Sequence, residues 1–350
     1  MKKQKNLLVI RLSAMGDVAM TAVVIKGLIA QNKDVKITLL SRAFLKPIFD
    51  DIPNVDFFVA DTKGKHKGII GIFKLYKELK KLGIDAIADL HNVMRSKLLT
   101  FFFSGTKSAT LNKGRAEKKA LTALENKIFK PLKTTHERYA DVFRALGYTV
   151  DLSKVDFPQP VPLNNSLKTI VGNTTKKRIG IAPFAQHNSK AYPLDLMEEI
   201  INRLSENEHI SILLFGGGDK EIESLSTIAN KYANTICIAG KIKLKEELLL
   251  ISNLDCMLSM DSGNGHFSAL YGVPTITLWG GTHPYAGFAP FNQPKENSFI
   301  PDLKKYPLIP YTVYGNKMLE GYEDAMRTID PNNVVESILK IVNEPSTIRT

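Results

Sequence analysis

The stretch Asn6-Leu-Leu-Val-Ile-Arg11-Leu-Ser-Ala-Met-Gly16-Asp17-Val18 decides how the chain is read. An apolar run, Asn6–Arg11, gives way to a small loop with one glycine, and an apolar helical stretch follows at Ala19–Gln31. Strand, loop and helix in that order form the repeating unit of parallel sheets. Further strands are predicted at Val35–Leu40, Asp56–Ala60 and Asp85–Asp89. Helices are predicted at Ile69–Leu82, Val93–Phe103, Ala116–Phe129 and His136–Leu146. A second series has strands at Arg178–Ala182, His209–Phe215, Thr235–Ile238, Asp255–Ser259 and Thr275–Trp279. Its helices are Leu194–Ser205, Lys220–Lys231, Lys245–Ile251 and Gly265–Tyr271. The alternation occurs twice, which predicts an α/β protein of two doubly wound domains.

Between the series lie Pro158, Pro160, Pro162, Asn164, Asn165, Gly172 and Asn173, with little apolar periodicity. This reads as a linker at 161–177 separating domains 1–160 and 178–350. Asp330-Pro331 is a helix start, with a carboxylate N-cap and proline in the first turn, and opens a helix over Asn332–Val342.

The chain has 350 residues, 44% hydrophobic and 23% charged, which is globular composition of two-domain length. No apolar run is long enough to span a bilayer, and the basic start Met1–Lys5 is not followed by a cleavable secretory pattern. Cys237 and Cys256 sit in apolar contexts without metal spacing, so core packing in a reducing cytoplasm is expected. The net charge of +12 favours phosphate-bearing partners. Lysines concentrate on Lys74–Lys81, where Ile72, Phe73, Tyr76, Leu79 and Leu82 recur at helical spacing. That pattern fits a surface helix with solvated lysines, or a patch held against an anionic membrane.

In open parallel sheets ligands bind beyond the carboxyl ends of strands, and with two domains the cleft between them is the expected site. Four such strand ends carry chemistry. In Arg11–Val18, Gly16 permits a tight turn, and Asp17 either caps the next helix or takes a proton from a hydroxyl. A lone glycine is not a dinucleotide fingerprint, and no nicotinamide cofactor is expected. The loop Pro183-Phe-Ala-Gln-His-Asn-Ser-Lys190 offers Gln186, His187 and Ser189 as neutral donors. Lys190 is either a solvated lysine or a mobile charge suited to a diphosphate. In Gly216-Gly-Gly-Asp219-Lys-Glu221, Asp219 and Glu221 either accept from a ribose or cap a turn. In Asp261-Ser-Gly-Asn-Gly-His266, a glycine-containing loop opens a helix and presents N–H groups suited to phosphate oxygens. Asp261 there either accepts from sugar hydroxyls or caps the helix.

Taken in order, these segments resemble glycosyltransferase family 9, the ADP-heptose:lipopolysaccharide heptosyltransferases. The resemblance also rests on Asp89-Leu-His-Asn-Val-Met-Arg95-Ser, Lys190-Ala-Tyr-Pro193 and Met326-Arg-Thr-Ile-Asp330-Pro. It implies a GT-B architecture, two Rossmann-like domains facing an interdomain cleft, with acceptor in the first domain and nucleotide-sugar in the second. The last helix is a candidate to pack back on the first domain. An inverting, metal-independent transfer without cofactor is implied, with Asp17 as general base, Lys190 neutralising the diphosphate and Asp261 on the donor sugar. By the same resemblance Ser262, Gly263, Asn264 and Gly265 would present backbone donors to phosphate and Ile242 would contact adenine, with Gln186, Ser189, Asp219, Glu221 and His266 completing the expected donor set. Arg11, Ser13, Gly16 and Arg95 fall on the acceptor side. The implied partners are ADP-heptose and an anionic lipopolysaccharide-type glycolipid, with peripheral contact at the inner face of the inner membrane and no nucleic acid.

This sequence departs from the family in Pro183–Ser189, which lacks paired threonines, at Asn264, and in Gly281-Thr-His283-Pro-Tyr285-Ala-Gly-Phe288, which bears on the sugar pocket. The rival readings are a nucleotide-sugar epimerase or hydrolase of the same architecture, and a non-catalytic polyanion binder.

Overall fold

The computed structural model describes residues 4–344, and the chain divides into two compact units. Residues 1–3, part of the basic start, and 345–350 lie outside the described residues.

One unit comprises the chain up to Arg115 together with Lys133–Asp156. Its elements are β1 (Lys5–Ile10), α1 (Met15–Gln31), β2 (Val35–Ser41), β3 (Val55–Val59), α2 (Gly68–Lys80), β4 (Ala86–Asp89), α3 (Met94–Phe102) and β5 (Lys107–Thr110). Then come α4 (Arg115–Leu121), most of which belongs to the other unit, and α5 (Thr135–Ala145). The strands form a parallel sheet in the order β3-β2-β1-β4-β5. Leu7–Ile10 of β1 are wholly buried, as a central parallel strand covered on both faces must be. On one face α2 and α3 bury Ile72, Leu75, Leu79, Leu99 and, beyond α3, Phe103 against Leu8, Ile10, Leu40 and Ile87. α5 packs on α1.

The other unit comprises Ala116–Leu132 and the chain from Phe157 on. It continues with α6 (Asn165–Val171), β6 (Lys177–Ala182), α7 (Leu194–Ser205), β7 (Ile210–Leu214), α8 (Asp219–Ala229), β8 (Thr235–Cys237) and α9 (Leu244–Ser252). β9 (Cys256–Met260), α10 (Gly263–Leu270), β10 (Thr275–Leu278), β11 (Ser298–Phe299) and α11 (Pro331–Asn343) complete it. Its parallel sheet runs β11-β10-β9-β6-β7-β8. α7 buries Met197, Ile200, Ile201 and Leu204, one stripe of a 3.6-residue period, in the core. Asp330 accepts from the Asn332 N–H at 2.8 Å, the N-cap its sequence requires. Cys237 and Cys256 are buried and free.

The units divide differently from a single cut at residue 160. Ala116–Leu132 groups with the second unit because its contacts lie there. The Leu132 N–H donates to the Tyr285 carbonyl at 2.9 Å. Lys127 Nζ donates to the Leu308 and Pro310 carbonyls, and Lys118 Nζ sits 4.0 Å from the Phe288 ring centre. The expected helix Ala116–Phe129 therefore stops at Leu121. The linker 161–177 holds the short helix α6, capped by Asn164 accepting from the Leu167 N–H. The last helix belongs to the second unit's core, where Val334, Val335, Ile338 and Val342 are buried and α11 packs on α7.

Candidate functional site

The direction of strand addition reverses once in each sheet, between β1 and β4 in the first and between β6 and β9 in the second. Loops leaving the carboxyl ends of two such strands diverge to opposite faces and open a crevice, the usual ligand position in doubly wound sheets. Arg11, Ser13, Gly16, Asp17 and Arg95 follow β1 and β4, and Gln186, Ser189, Lys190 and residues 261–266 follow β6 and β9, whereas Asp219, Glu221 and Ile242 follow β7 and β8, away from the switch point.

In the first unit Arg11, at the end of β1, is buried and donates through Nη1 to the Leu90 carbonyl after β4 at 2.6 Å. Its Nη2 meets Asp17 Oδ2 at 2.6 Å. Oδ2 also accepts from the Ala14 N–H at 3.3 Å, and Oδ1 accepts from the Tyr139 hydroxyl at 3.1 Å. Asp17 thus both caps α1 and faces a fixed cation. Gly16 is the second residue of α1, which corrects the expected tight turn: the helix begins four residues before Ala19. Its lack of a side chain leaves the first-turn N–H groups approachable. Ser13 lies on the preceding loop and is half-buried, and Arg95 is in the first turn of α3.

Asp89, wholly buried, accepts from the His91 and Asn92 N–H groups and the Ser96 hydroxyl, and so shapes the loop after β4. Burial, reinforced by Arg11 and Lys113, pushes the His91 imidazole down to about 4, and Arg42 adds to the same field. Burial together with Arg11 and Arg115 also lowers the Lys113 ammonium. Arg11, Arg42, Lys113 and Arg115 are thus a cationic field at this edge, suited to an anionic group. Of these, sequence reading singled out only Arg11. The others, and Tyr139, lie on separate elements and carry no local signal.

In the second unit Lys190 follows β6 and Asp261 follows β9. Lys190 Nζ meets Asp261 Oδ2 at 3.0 Å, and both side chains are largely buried. The Thr282 hydroxyl, on the segment after β10, donates to the same oxygen at 3.0 Å. The Ser189 hydroxyl donates to the Gly315 carbonyl at 2.6 Å, and the Gly281 N–H donates to the Ser189 carbonyl at 2.7 Å. Gly315 has φ +82°, and a Cβ there would lie 2.4 Å from Lys190 Cδ, so the lysine stem lies directly over the glycine.

Ser262 is the N-cap of α10 with no side-chain cap bond, and Gly263, Asn264, Gly265 and His266 form its opening turns. The orphan N–H groups and dipole of that helix end therefore begin one residue beyond Asp261. Gln186 is exposed on the β6–α7 loop, and Ile242 is half-buried after β8. Glu221 Oε2 accepts from the Gly217 N–H at 2.8 Å, closing the triple-glycine turn, while Asp219 starts α8 and is exposed. The Glu221 carboxylate is thus engaged by the turn, the second of its two sequence readings. His283 accepts from the Tyr285 N–H at Nδ1 and packs edge-on against Phe129 and Tyr285. Burial, helped by Lys127, pushes it down to about 4. Among the described residues no group of three or more His, Cys, Asp or Glu side chains is placed to hold a metal ion.

Two doubly wound Rossmann-like units in one chain, each with an ion pair at its switch point, define a protein of the GT-B class. The sequence pattern of glycosyltransferase family 9 (heptosyltransferase) matches residues 72–308, and the chain belongs to that family of glycosyltransferases. It is 26% identical to lipopolysaccharide heptosyltransferase 1 of Campylobacter coli, over 96% of this chain and 97% of that protein. Among solved structures it resembles a glycosyl transferase of family 9 from Veillonella parvula, at TM-score 0.74 and 19% identity over 99% of each chain. It also resembles Escherichia coli heptosyltransferase WaaC with ADP-2-deoxy-2-fluoro heptose, at TM-score 0.66 and 18% identity over 96% and 99%.

Proposed function

We propose that this enzyme transfers a heptose-type sugar from ADP-heptose to a hydroxyl of an anionic, lipid-borne lipopolysaccharide-type glycan, with inversion and without a metal. The observation that carries the reading is the Lys190–Asp261 pair beside the start of α10. A half-buried helix N-terminus without a side-chain cap and a mobile ammonium together suit a diphosphate, and a carboxylate beside them needs a polyhydroxylated partner. The names of the similar proteins, which include ADP-linked heptose and lipopolysaccharide, support the choice of sugar and acceptor.

The second unit is assigned the donor and the first the acceptor, whose anionic groups would be drawn by Arg11, Arg42, Lys113 and Arg115. Asp17 takes the proton of the acceptor hydroxyl, whose oxygen attacks the anomeric carbon. The bond from that carbon to the diphosphate oxygen breaks, and ADP leaves carrying the electron pair. Lys190 transfers from Asp261 to the departing phosphate, freeing Asp261 to accept from sugar hydroxyls while Thr282 holds it. Each preorganised donor at such a charge commonly contributes roughly 3–4 kcal/mol. A lipid-borne acceptor would bring the reaction to a membrane surface, and the cytoplasmic face is the one proposed.

The test is a calorimetric panel of nucleotide diphosphate sugars, with ADP-linked heptose first, followed by assignment of the product's anomeric configuration. Tight binding of the ADP sugar and an inverted product are expected. A sugar nucleotide altered or hydrolysed without acceptor would replace the proposal with the epimerase or hydrolase reading.

A further inference from the structure

α2 and α3 lie side by side over one face of the first sheet, with Ile72, Leu75, Leu79 and Leu99 turned into its core. Their outward faces are not polar. Ile69 is 70% exposed and Ile70 74% exposed on α2, while Met94 is 81% and Phe101 72% exposed on α3. The two sets are joined by rings: Phe73 stacks edge-on against Phe102 at 5.3 Å, and Phe102 neighbours Phe101 at 6.2 Å. Met94 and Phe101 are seven residues apart, two helical turns, and so share a face.

Lysines surround this apolar ridge. α2 carries Lys74, Lys77 and Lys80 and is flanked by Lys67 and Lys81, and α3 carries Arg95 and Lys97. Lys77 Nζ lies 4.8 Å from the Phe73 ring centre, so the long stems lie along the aromatics. Glu78, the one acid of the two helices, is engaged by Lys65 at 2.7 Å and lies 3.4 Å from His66. Among the described residues no helix is long and apolar enough to cross a membrane.

We propose that this α2–α3 face docks the enzyme on an anionic lipid bilayer, with Ile69, Ile70, Met94 and Phe101 entering the headgroup–acyl boundary and the lysines pairing with lipid phosphates. Apolar side chains ringed by cations are the composition of an interfacial anchor. A second copy of this face is disfavoured, since it would set like charges against one another. α3 begins directly beyond the β4 loop whose Leu90 carbonyl holds Arg11. Docking through α3 would thus bring the β1–β4 switch point close to the lipid surface, a consequence that rests on the acceptor proposal. The docking itself does not, and it is measured without donor or acceptor.

The full chain is sedimented with vesicles of phosphatidylethanolamine and phosphatidylglycerol, or of phosphatidylcholine alone, across a salt series. Binding to the anionic vesicles alone, weakening as salt rises, is expected. Ile70→Glu with Phe101→Glu should lower it by about tenfold or more, and Lys74→Glu with Lys77→Glu should lower it chiefly at low salt. Unchanged melting and ADP binding show that both variants are folded. No vesicle binding, equal binding to both compositions, or wild-type binding by the Ile70/Phe101 variant would overturn the proposal. So would a wild-type dimer by light scattering that the Ile70/Phe101 variant dissolves, since the face would then belong to a protein contact.

Discussion

Both units set a cation against a carboxylate at the carboxyl edge of the sheet, yet the two pairs are built for different work. In the first, the cation is the immobile partner: the Arg11 guanidinium is buried and spans Leu90 and Asp17. The Asp17 side chain is more open, 24% exposed against 10% for Asp261. A planar fork fixed at two points holds its carboxylate in place and leaves it approachable. In the second, Asp261 is the anchored partner, held by Thr282, and the cation sits on a flexible stem laid over Gly315. A lysine so placed can exchange a carboxylate for a phosphate by rotation about its own bonds. The same strand-end topology thus presents a carboxylate held by a fixed cation in one unit and a cation on a flexible stem in the other.

The contrast yields predictions in descending size. Asp17→Ala should lower turnover by about a hundredfold or more, the range of general base catalysis. The check is steady-state kinetics at saturating donor, and near-normal turnover would remove the base assignment. Lys190→Ala should weaken ADP binding by about ten- to a hundredfold, as loss of a charge-assisted contact implies, measured by competition against a labelled nucleotide. Gly315→Ala should act in the same direction by about tenfold or less, because the new methyl displaces the Lys190 stem and the backbone there sits at φ +82°. Unaltered ADP affinity in a folded Gly315→Ala protein would show that the stem's position is immaterial. Thr282→Val removes one hydrogen bond to Asp261 and should cost about three- to tenfold in kcat/KM for the donor. Tyr139→Phe, the equivalent change at Asp17, should cost a similar factor in kcat instead.

A separate prediction concerns pH. His91 and His283, one in each unit, are both lowered from 6.5 to about 4. The unfolded chain binds their protons first, so stability is full above about 6.5 and declines as pH falls toward 4. Thermal melts from pH 7.5 to 4.5 should drop by several degrees, and His283→Gln should flatten the slope.

Much of the fold was legible because parallel strands covered on both faces read as continuous apolar runs between amphipathic helices, as Leu7–Ile10 and α7 show. β5, Lys-Ser-Ala-Thr at the sheet edge, and the two-residue β11 carry no such signal. The apolar spacing through Leu124, Ile128 and Phe129 reads as helix, but those residues follow Leu121 in a segment tied to Tyr285, Leu308 and Pro310. At the site, Arg11, Asp17, Lys190 and Asp261 were visible as strand-end residues. Arg11 and Asp17 pair within one strand-end segment, whereas the pairing of Lys190 with Asp261 depends on β6 lying beside β9, which local sequence does not encode. Thr282 and Tyr139 reach these carboxylates only through the fold. Thr282 does lie in the Gly281–Phe288 segment already marked as unusual.

Calorimetric titration of ADP into the Asp17→Ala and Lys190→Ala proteins separates the work of the two ion pairs. The prediction is wild-type affinity for the first and a loss of about tenfold or more for the second. Wild-type affinity in the Lys190 variant, or a comparable loss in the Asp17 variant, would contradict it.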